Sequence, residues 1–305
     1  MDKIRRSTSS LKTGIAYYPD YLAQVLGYFE DEQIDIVADA PGHGPFVADA
    51  LATGASDIGL GGMWRPLFGR RKAPMWCFAQ LVDSYSGVLL ARTQTEPFTY
   101  DQLVGKVVTI PSGNPSAWIM LKHLIQSAGV DPADVHFLHT FGGDEATLYF
   151  KDGIGDFYLT GEPTSNVLVA QGFGTPVASL SSGGTMPASV YYATPEFLAR
   201  EDHAAGRFVR AINRALVWLA AHDPLDAPGV FPAFFAGWDV ELVAESVRGC
   251  KELGVWNQTA RISEEGLLRW QEILVADGSC MSEILPFSDI VDNRAVDWAE
   301  SHPRA

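Results

Sequence analysis

Short apolar runs alternate along this chain with segments whose apolar residues recur every three or four positions, and this alternation most constrains the fold. The runs, which we predict to be strands, lie at 15–18, 34–37, 57–60, 76–82, 87–92, 106–110, 135–139, 156–160 and 188–193. Helical spacing fills most of the intervals between them, and from 194 onward the pattern is almost wholly helical. Strands that alternate with helices indicate an α/β protein.

The β-α-β alternation occurs as two series. The first covers the strands up to 92, and the second begins at 106. At 305 residues the chain is long enough for two modest units with a core each. We therefore predict two lobes, each a mixed sheet flanked by helices, with a ligand cleft between them.

Charge and cysteine content narrow the classes of partner. The formal net charge is -15, without a basic run, so nucleic acid is not an expected partner. The three cysteines, Cys77, Cys250 and Cys280, have no CxxC spacing, and an odd number cannot complete a disulfide framework. The histidines lack metal-binding spacing, and we expect neither a metal nor a cofactor.

The chain as it reads begins without an apolar segment of signal-peptide length, and no run is long enough to cross a bilayer. We expect no transmembrane segment. The expected location is cytoplasmic, or periplasmic or extracellular if a signal was removed.

Four segments resemble, in the right order, the solute-binding family for aliphatic sulfonates, nitrate and thiamine pyrimidine precursors. They are 27–36 (GYFEDEQIDI), 50–59 (ALATGASDIG), 103–114 (LVGKVVTIPSGN) and 155–163 (GDFYLTGEP). The resemblance implies the type II periplasmic-binding-protein-like fold. It also implies that the C-terminal helices return to the first lobe, so that lobe 1 is 1–92 plus 190–305 and lobe 2 is 93–189. A small-molecule ligand and an ABC transporter permease are the partners it implies.

Ligands of open α/β sheets bind beyond the carboxyl ends of the strands, where loops converge. The loops in those positions supply the candidate ligand-binding residues. These are Tyr17, Tyr18, His43, Gly61, Gly62, Trp64, Arg65, Ser112, Gly113, Asn114, Ser116, Thr160, Glu162 and Met186.

Each polar candidate also has a purely structural explanation. Arg65 could hold a carboxylate or sulfonate through two hydrogen bonds, or pair with surface acids. The turn at 112–116 precedes a helix, where free amide groups favour an anion, although the same residues could simply cap the helix. His43, between two glycines, could titrate near neutral pH or be a solvated loop residue. One of the adjacent Tyr17 and Tyr18 is expected in the cleft and the other in the core.

Two functions stay open at this point. The first, which we favour, is a binding protein for an anionic, aromatic or heterocyclic compound that serves an ABC-type importer. The second is a cytoplasmic enzyme on the same fold, a lyase such as a decarboxylase. There Arg65 would hold the acid group and His43 or Glu162 would move the proton. The sequence contains no GxSxG, Walker or GxGxxG motif.

Overall fold

Two five-stranded sheets organise the computed structural model of this chain, which describes residues 1–8, 14–39, 44–93, 96–111, 115–140, 142–279 and 281–304. The strands are β1 (Asp2–Ser7), β2 (Ile34–Asp39), β3 (Ile58–Gly62), β4 (Trp76–Val82), β5 (Val88–Ala91), β6 (Val107–Pro111), β7 (His136–Thr140), β8 (Phe157–Thr160), β9 (Thr175–Ser179) and β10 (Ser189–Ala193). The predicted two-lobed α/β architecture is confirmed.

The first sheet has the strand order β2-β1-β3-β10-β4 and forms the centre of the first lobe. Strand β1 is parallel to β2 and β3, whereas β10 is antiparallel to β3 and β4. The first strand was predicted at 15–18, and this is wrong. Residues Ile15–Tyr17 form a 3-10 turn that leads into a helix, and the strand lies upstream, where buried Arg6 breaks the apolar pattern.

The second sheet has the order β7-β6-β8-β5-β9 and forms the centre of the second lobe. Strand β5 pairs with β8 and β9, so the chain first crosses between lobes at 83–87, whereas the sequence placed the crossing near Arg92. The return crossing lies between β9 and β10. Strand β9 was not predicted, because its sequence TPVAS at the sheet edge is short, partly exposed and without an apolar run.

Helices cover both sheets. They are α1 (Tyr18–Val25), α2 (Tyr28–Asp31), α3 (Gly44–Ala52), α4 (Trp64–Gly69), α5 (Pro115–Ser127), α6 (Gly143–Lys151), α7 (Thr164–Ala170), α8 (Pro195–Leu198), α9 (Ala204–Ala221), α10 (Val230–Phe234), α11 (Val240–Glu252), α12 (Glu264–Asp277), α13 (Phe287–Ile290) and α14 (Arg294–Ser301).

The C-terminal helices hold the lobes together. Helix α9 packs on α1, α2 and α14 in the first lobe. Helix α12 instead packs against α5 of the second lobe, where Asp277 forms an ion pair with Lys122. Helices α9 and α14 thus pack together in the first lobe, whereas α12 packs against the second.

The described ranges contain neither a membrane-spanning helix nor a cluster of metal ligands. No helix there has both the length and the apolar character that a bilayer crossing requires. Nor does this part of the chain bring together three histidine, cysteine or acidic side chains in an arrangement that could hold a metal ion.

Candidate ligand-binding cleft

A cleft of about 390 Å³ lies between the two sheets and takes its walls from both lobes. This volume suits a small organic molecule. The first lobe and the crossing segments contribute Gly14, Ala16, Tyr17, Gly62, Trp64, Arg65, Val82, Tyr85, Ser86, Gly87, Ala188 and Ser189. The second lobe contributes Ile110, Pro111, Ser116, Ala117, Gly143, Asp144, Tyr158, Leu159, Thr160, Gly161, Glu162 and Thr164.

The end of β3 brings a cation to the cleft. Arg65 is the second residue of α4 and is only 6% exposed, with its guanidinium carbon 5.4 Å from the centre of the Trp64 ring. A Cβ atom on Gly61 would lie 2.8 Å from the Arg65 Nε atom, so the guanidinium rests against the bare backbone of the strand. A larger residue at Gly61 would displace the cation.

Gly62 is the point at which the two lobes approach each other. A Cβ atom there would lie 2.9 Å from the Trp64 Nε1 atom and 3.3 Å from the Ser116 hydroxyl oxygen of the second lobe. The missing side chain therefore leaves room for an aromatic ring from one lobe and a hydroxyl group from the other. Arg65 and Ser116 lie against adjacent glycines of β3.

Ser116 is the buried polar group of the second lobe at this point. It is 2% exposed, and its hydroxyl group has no hydrogen-bond partner among the described residues. It occupies the first turn of α5, a thirteen-residue helix whose free amide hydrogens and dipole favour negative charge. The predicted residues Ser112, Gly113 and Asn114 lie outside the described residues, but Pro111 and Ser116 on either side of them both line the cleft.

The two adjacent tyrosines lie in different environments. Tyr17 lines the cleft, whereas Tyr18 is fully buried and its hydroxyl group donates to the carbonyl oxygen of Pro224 at 3.2 Å. That one tyrosine faces the cleft and the other the core was predicted from strand alternation, but the physical cause is different. Tyr17 ends a 3-10 turn and Tyr18 starts α1, so the helix turns the second ring into the core.

A buried ion pair between β1 and α1 stabilises the part of the cleft wall that contains Tyr17. Arg6 of β1 pairs with Asp20 of α1, and the other oxygen of Asp20 accepts a hydrogen bond from the Tyr191 hydroxyl group at 2.6 Å. Gln24 donates to the same carboxylate at 2.7 Å. Burial lowers the pKa of Arg6. Since an unpaired charge here would be very costly, the pair fixes α1 against the sheet and thereby positions Tyr17.

Glu162 lines the cleft, yet its carboxylate is directed at neighbouring protein groups. It accepts hydrogen bonds from the Ser165 hydroxyl group, from the Ser246 hydroxyl group at 3.1 Å and from the Asn166 backbone amide at 3.4 Å. The Glu162 carbonyl oxygen accepts from the backbone amide of Ile15 at 3.3 Å. This set of partners occupies the carboxylate that the enzyme hypothesis uses as a base.

The structure places the remaining sequence candidates as follows. Thr160 ends β8 and lines the cleft, and Gly61 lies beneath Arg65. Met186 is fully buried in the return crossing, and its amide donates to the Asp83 carbonyl oxygen at 2.8 Å, so it belongs to the hinge and not to the cleft wall. His43 lies outside the described residues.

Two aromatic residues of the cleft wall were missed by sequence reasoning. Tyr85 lies in the first crossing segment, with its ring 5.3 Å from that of Trp270, and Tyr158 lies on β8. Burial raises the pKa of Tyr158. A signal was available for Tyr85, because a polar turn between strands of two different sheets must pass the cleft. Nothing in the local pattern distinguishes Tyr158 from an ordinary core residue.

With the fold and the cleft in view, the class of protein is clear: residues 15–226 match the family profile described as NMT1/THI5 like, and the chain belongs to that family. It is 24% identical over 292 residues to YtlA of Bacillus subtilis (strain 168), named "Putative binding protein", and the match covers 94% of this chain and 87% of YtlA. It is also 24% identical over 249 residues to the 4-amino-5-hydroxymethyl-2-methylpyrimidine phosphate synthase of Candida albicans (strain WO-1), with 77% of this chain and 72% of the synthase covered.

The fold is likewise shared with solved structures. The periplasmic aliphatic sulphonate binding protein SsuA from Escherichia coli superimposes with a TM-score of 0.76 at 16% identity, over 95% of this chain and 97% of SsuA. The predicted periplasmic-binding-protein fold is thereby confirmed, and the NMT1/THI5-like profile match confirms the predicted family resemblance.

Proposed function

We propose that this chain is a solute-binding protein that holds one small organic anion in the cleft and serves an ABC-type importer through a permease partner. A sulfonate or carboxylate is the expected charged group, carried on an aromatic or heterocyclic body. Relatives named as a binding protein and as a sulphonate-binding protein support this proposal. Delivery to an importer implies a location outside the cytoplasmic membrane.

The single observation that carries the proposal is the buried hydroxyl group of Ser116, which has no partner among the described residues and faces the cleft at the start of α5. A buried donor of this kind costs free energy unless a partner reaches it. An anion there would accept from Ser116 and from the helix amides, and the buried charge of Arg65 lies against the adjacent glycine of β3.

The rest of the wall suits a flat, largely apolar body. Among the described residues, four aromatic rings line the cleft, three from the first lobe and its crossing segment and one from the second lobe: Tyr17, Trp64, Tyr85 and Tyr158. Aromatic rings on both sides favour a planar ligand, since stacked and edge-on ring contacts add to the gain from burying apolar surface. The cation and the aromatic walls together favour an aromatic acid over an inorganic anion.

The binding function is favoured over the lyase because the Glu162 carboxylate is already engaged by Ser165, Asn166 and Ser246. These three donors hold the carboxylate against protein groups, which leaves it poorly placed to take a proton from a compound in the cleft. The alternative is tested in the same experiment by recovering each compound after long incubation. Chemical change of a bound compound would favour the enzyme.

The test compares the binding of benzenesulfonate, benzoate, butanesulfonate and neutral benzamide. Binding of each compound is measured by thermal shift and by calorimetry. We expect the aromatic anions to raise the melting temperature through mass action and benzamide to have little effect. Arg65→Gln is expected to weaken anion binding about 10- to 100-fold, since a hydrogen bond to a charged group contributes about 1.5–3 kcal/mol.

Arg70→Gln is the matched control, because Arg70 lies five residues on and does not line the cleft. Equal loss of affinity in the two variants, or equal binding of benzamide and benzoate, would contradict the proposed site.

A further inference from the structure

The cleft is flanked by a polar contact between lobes that lies outside the group of residues that would touch the anion. Glu162, at the end of β8 in the second lobe, meets Ser246 of α11, which packs beside Ile15–Tyr17 of the first lobe. The two residues are 84 positions apart in the chain. Ser246 is 1% exposed, so this contact is shielded from water.

Three hydrogen bonds cross between the lobes here. The Ser246 hydroxyl group donates to the Glu162 carboxylate at 3.1 Å, the Asn166 side-chain amide donates to Ser246 at 2.8 Å, and the Ile15 amide donates to the Glu162 carbonyl oxygen at 3.3 Å. A Cβ atom on Gly14 would lie 2.9 Å from that same carbonyl oxygen, so the approach of the two backbones is close.

We propose that Glu162 and Ser246 form an interlobe clasp that stabilises the closed arrangement of the cleft, and that Glu162 acts as a positioning residue without contacting the bound anion. A carboxylate that lines the same cleft as Ser116 would repel an anion if it faced the ligand. The Glu162 carboxylate instead accepts hydrogen bonds from the hydroxyl groups of Ser246 and Ser165, which stabilise its negative charge at the cleft wall.

The hydrogen bond between Ser246 and Glu162 can open while both the Ser246 hydroxyl group and the Glu162 carboxylate keep another partner. A hydroxyl group has one proton, and the Ser246 oxygen lies within reach of two acceptors, the Glu162 carboxylate and the Leu242 carbonyl oxygen at 2.8 Å. When the lobes separate, Ser246 can donate to Leu242, while Glu162 keeps Ser165 and the Asn166 amide within its own lobe. The clasp therefore biases the lobe equilibrium without locking it.

The test measures the distance between lobes in the protein without added ligand. Dyes are attached to cysteines introduced at the exposed positions Glu30 and Asp152, in a Cys280→Ser background in which Cys77 and Cys250 are buried. Single-molecule energy transfer then reports the fraction of open molecules. We expect Ser246→Ala and Glu162→Gln each to raise the open-to-closed ratio about tenfold, and the double variant to add little, because both remove one interaction.

Ser165→Ala is the matched control, since it removes a donor to the same carboxylate from within the second lobe. Its distance distribution is expected to stay near that of the parent. Identical distributions for the parent, Ser246→Ala and Glu162→Gln would overturn the clasp, as would an equal shift in Ser165→Ala. Glu162→Gln keeps the test decisive if Ser246→Ala does not fold.

The binding consequence rests on the proposed function and is measured separately with benzenesulfonate. Loss of the clasp is expected to raise the dissociation rate and leave the association rate nearly unchanged, because the closed state traps the ligand. A shifted lobe distance without binding of any anion would refute the proposed function and leave the clasp intact. Unchanged lobe distances would refute the clasp even if benzenesulfonate binds.

Discussion

Asp223 shows how one exposed ion pair can make the stability of this fold depend on acid. Its carboxylate accepts from the Leu225 amide at 3.0 Å and pairs with Arg248 of α11 at 2.8 Å. The hydrogen bond from Arg248, together with that from Leu225, lowers the pKa of Asp223 from its ordinary 3.8 to about 2. A lowered pKa in the folded state means that the ionised carboxylate stabilises the fold.

We therefore expect the contribution of Asp223 to be complete above pH about 4 and to disappear as the pH falls through about 2. Asp223→Asn is the informative variant, because asparagine can still cap the turn but cannot carry the charge. The free energy of unfolding of the parent and the variant, measured in urea from pH 6 to pH 2, should differ slightly at pH 6 and converge at pH 2. A difference that is independent of pH would contradict the assignment.

Arg65 and Ser116 illustrate what is visible at the scale of single residues. Both were predicted as ligand contacts from residue type and loop position, and both line the cleft. Their binding roles remain predictions. Neither the burial of Arg65 against Gly61 nor that of Ser116 beside Gly62 follows from local sequence, because each depends on a neighbour that another element brings close.

At the scale of elements, the glycines of β3 allow large side chains of neighbouring residues to pack directly against the strand backbone. Gly59 pairs with Tyr192 of β10, whose ring would lie within 2.4 Å of a Cβ atom at this position. The ring thus fills the space that a side chain would occupy. In α11, Gly249 has open space around it and no such function.

This contrast predicts opposite effects for the same substitution. Gly59→Ala is expected to destabilise the protein by about 1–3 kcal/mol, because it overpacks the ring against the strand. Gly249→Ala is expected to stabilise it by about 0.5–1 kcal/mol, because alanine is the better residue in a helix interior. Urea unfolding of both variants tests the pair, and a stabilising Gly59→Ala would exclude the packing explanation.

Sequence patterns located most elements but failed where tertiary contacts replaced local apolar ones. The sequence of the strand Asp2–Ser7 is mostly polar, so no strand was predicted there. It can nevertheless lie inside the sheet because the charge of its buried Arg6 is neutralised by Asp20 from a different element. The segment 15–18 reads as a strand because its residues are apolar, whereas Pro19 near the start of α1 already marks a helix. Edge strand β9 has too little burial to show a period.

At the scale of the whole molecule, α12 and the crossing segments make the two lobes one unit. Trp270 of α12 is fully buried and lies 5.3 Å from the Tyr85 ring in the first crossing segment. Arg269 donates to the carbonyl oxygen of Thr185 in the return crossing at 2.8 Å. One helix thus contacts both crossing segments and the second lobe.

We expect Trp270→Ala to lower the free energy of unfolding by about 3–5 kcal/mol, through the cavity it leaves beside the hinge. Trp238→Ala is the matched control, since that ring is 41% exposed and should contribute far less. Chemical unfolding followed by fluorescence and circular dichroism gives both values. A loss in Trp270→Ala no larger than in Trp238→Ala would contradict a structural role at the junction.

The sequence by itself determined the alternation of strands and helices, the two-lobed α/β class, the family and the loops from which a ligand site could be built. These follow from local periodicity and ordered motifs, which record how each segment buries one face. Only the tertiary structure decided that Glu162 meets Ser246, that α12 joins the lobes and that Tyr85 and Tyr158 line the cleft. Such contacts join residues far apart in the chain, and their geometry is set by how two sheets pack about a hinge, which no local pattern encodes.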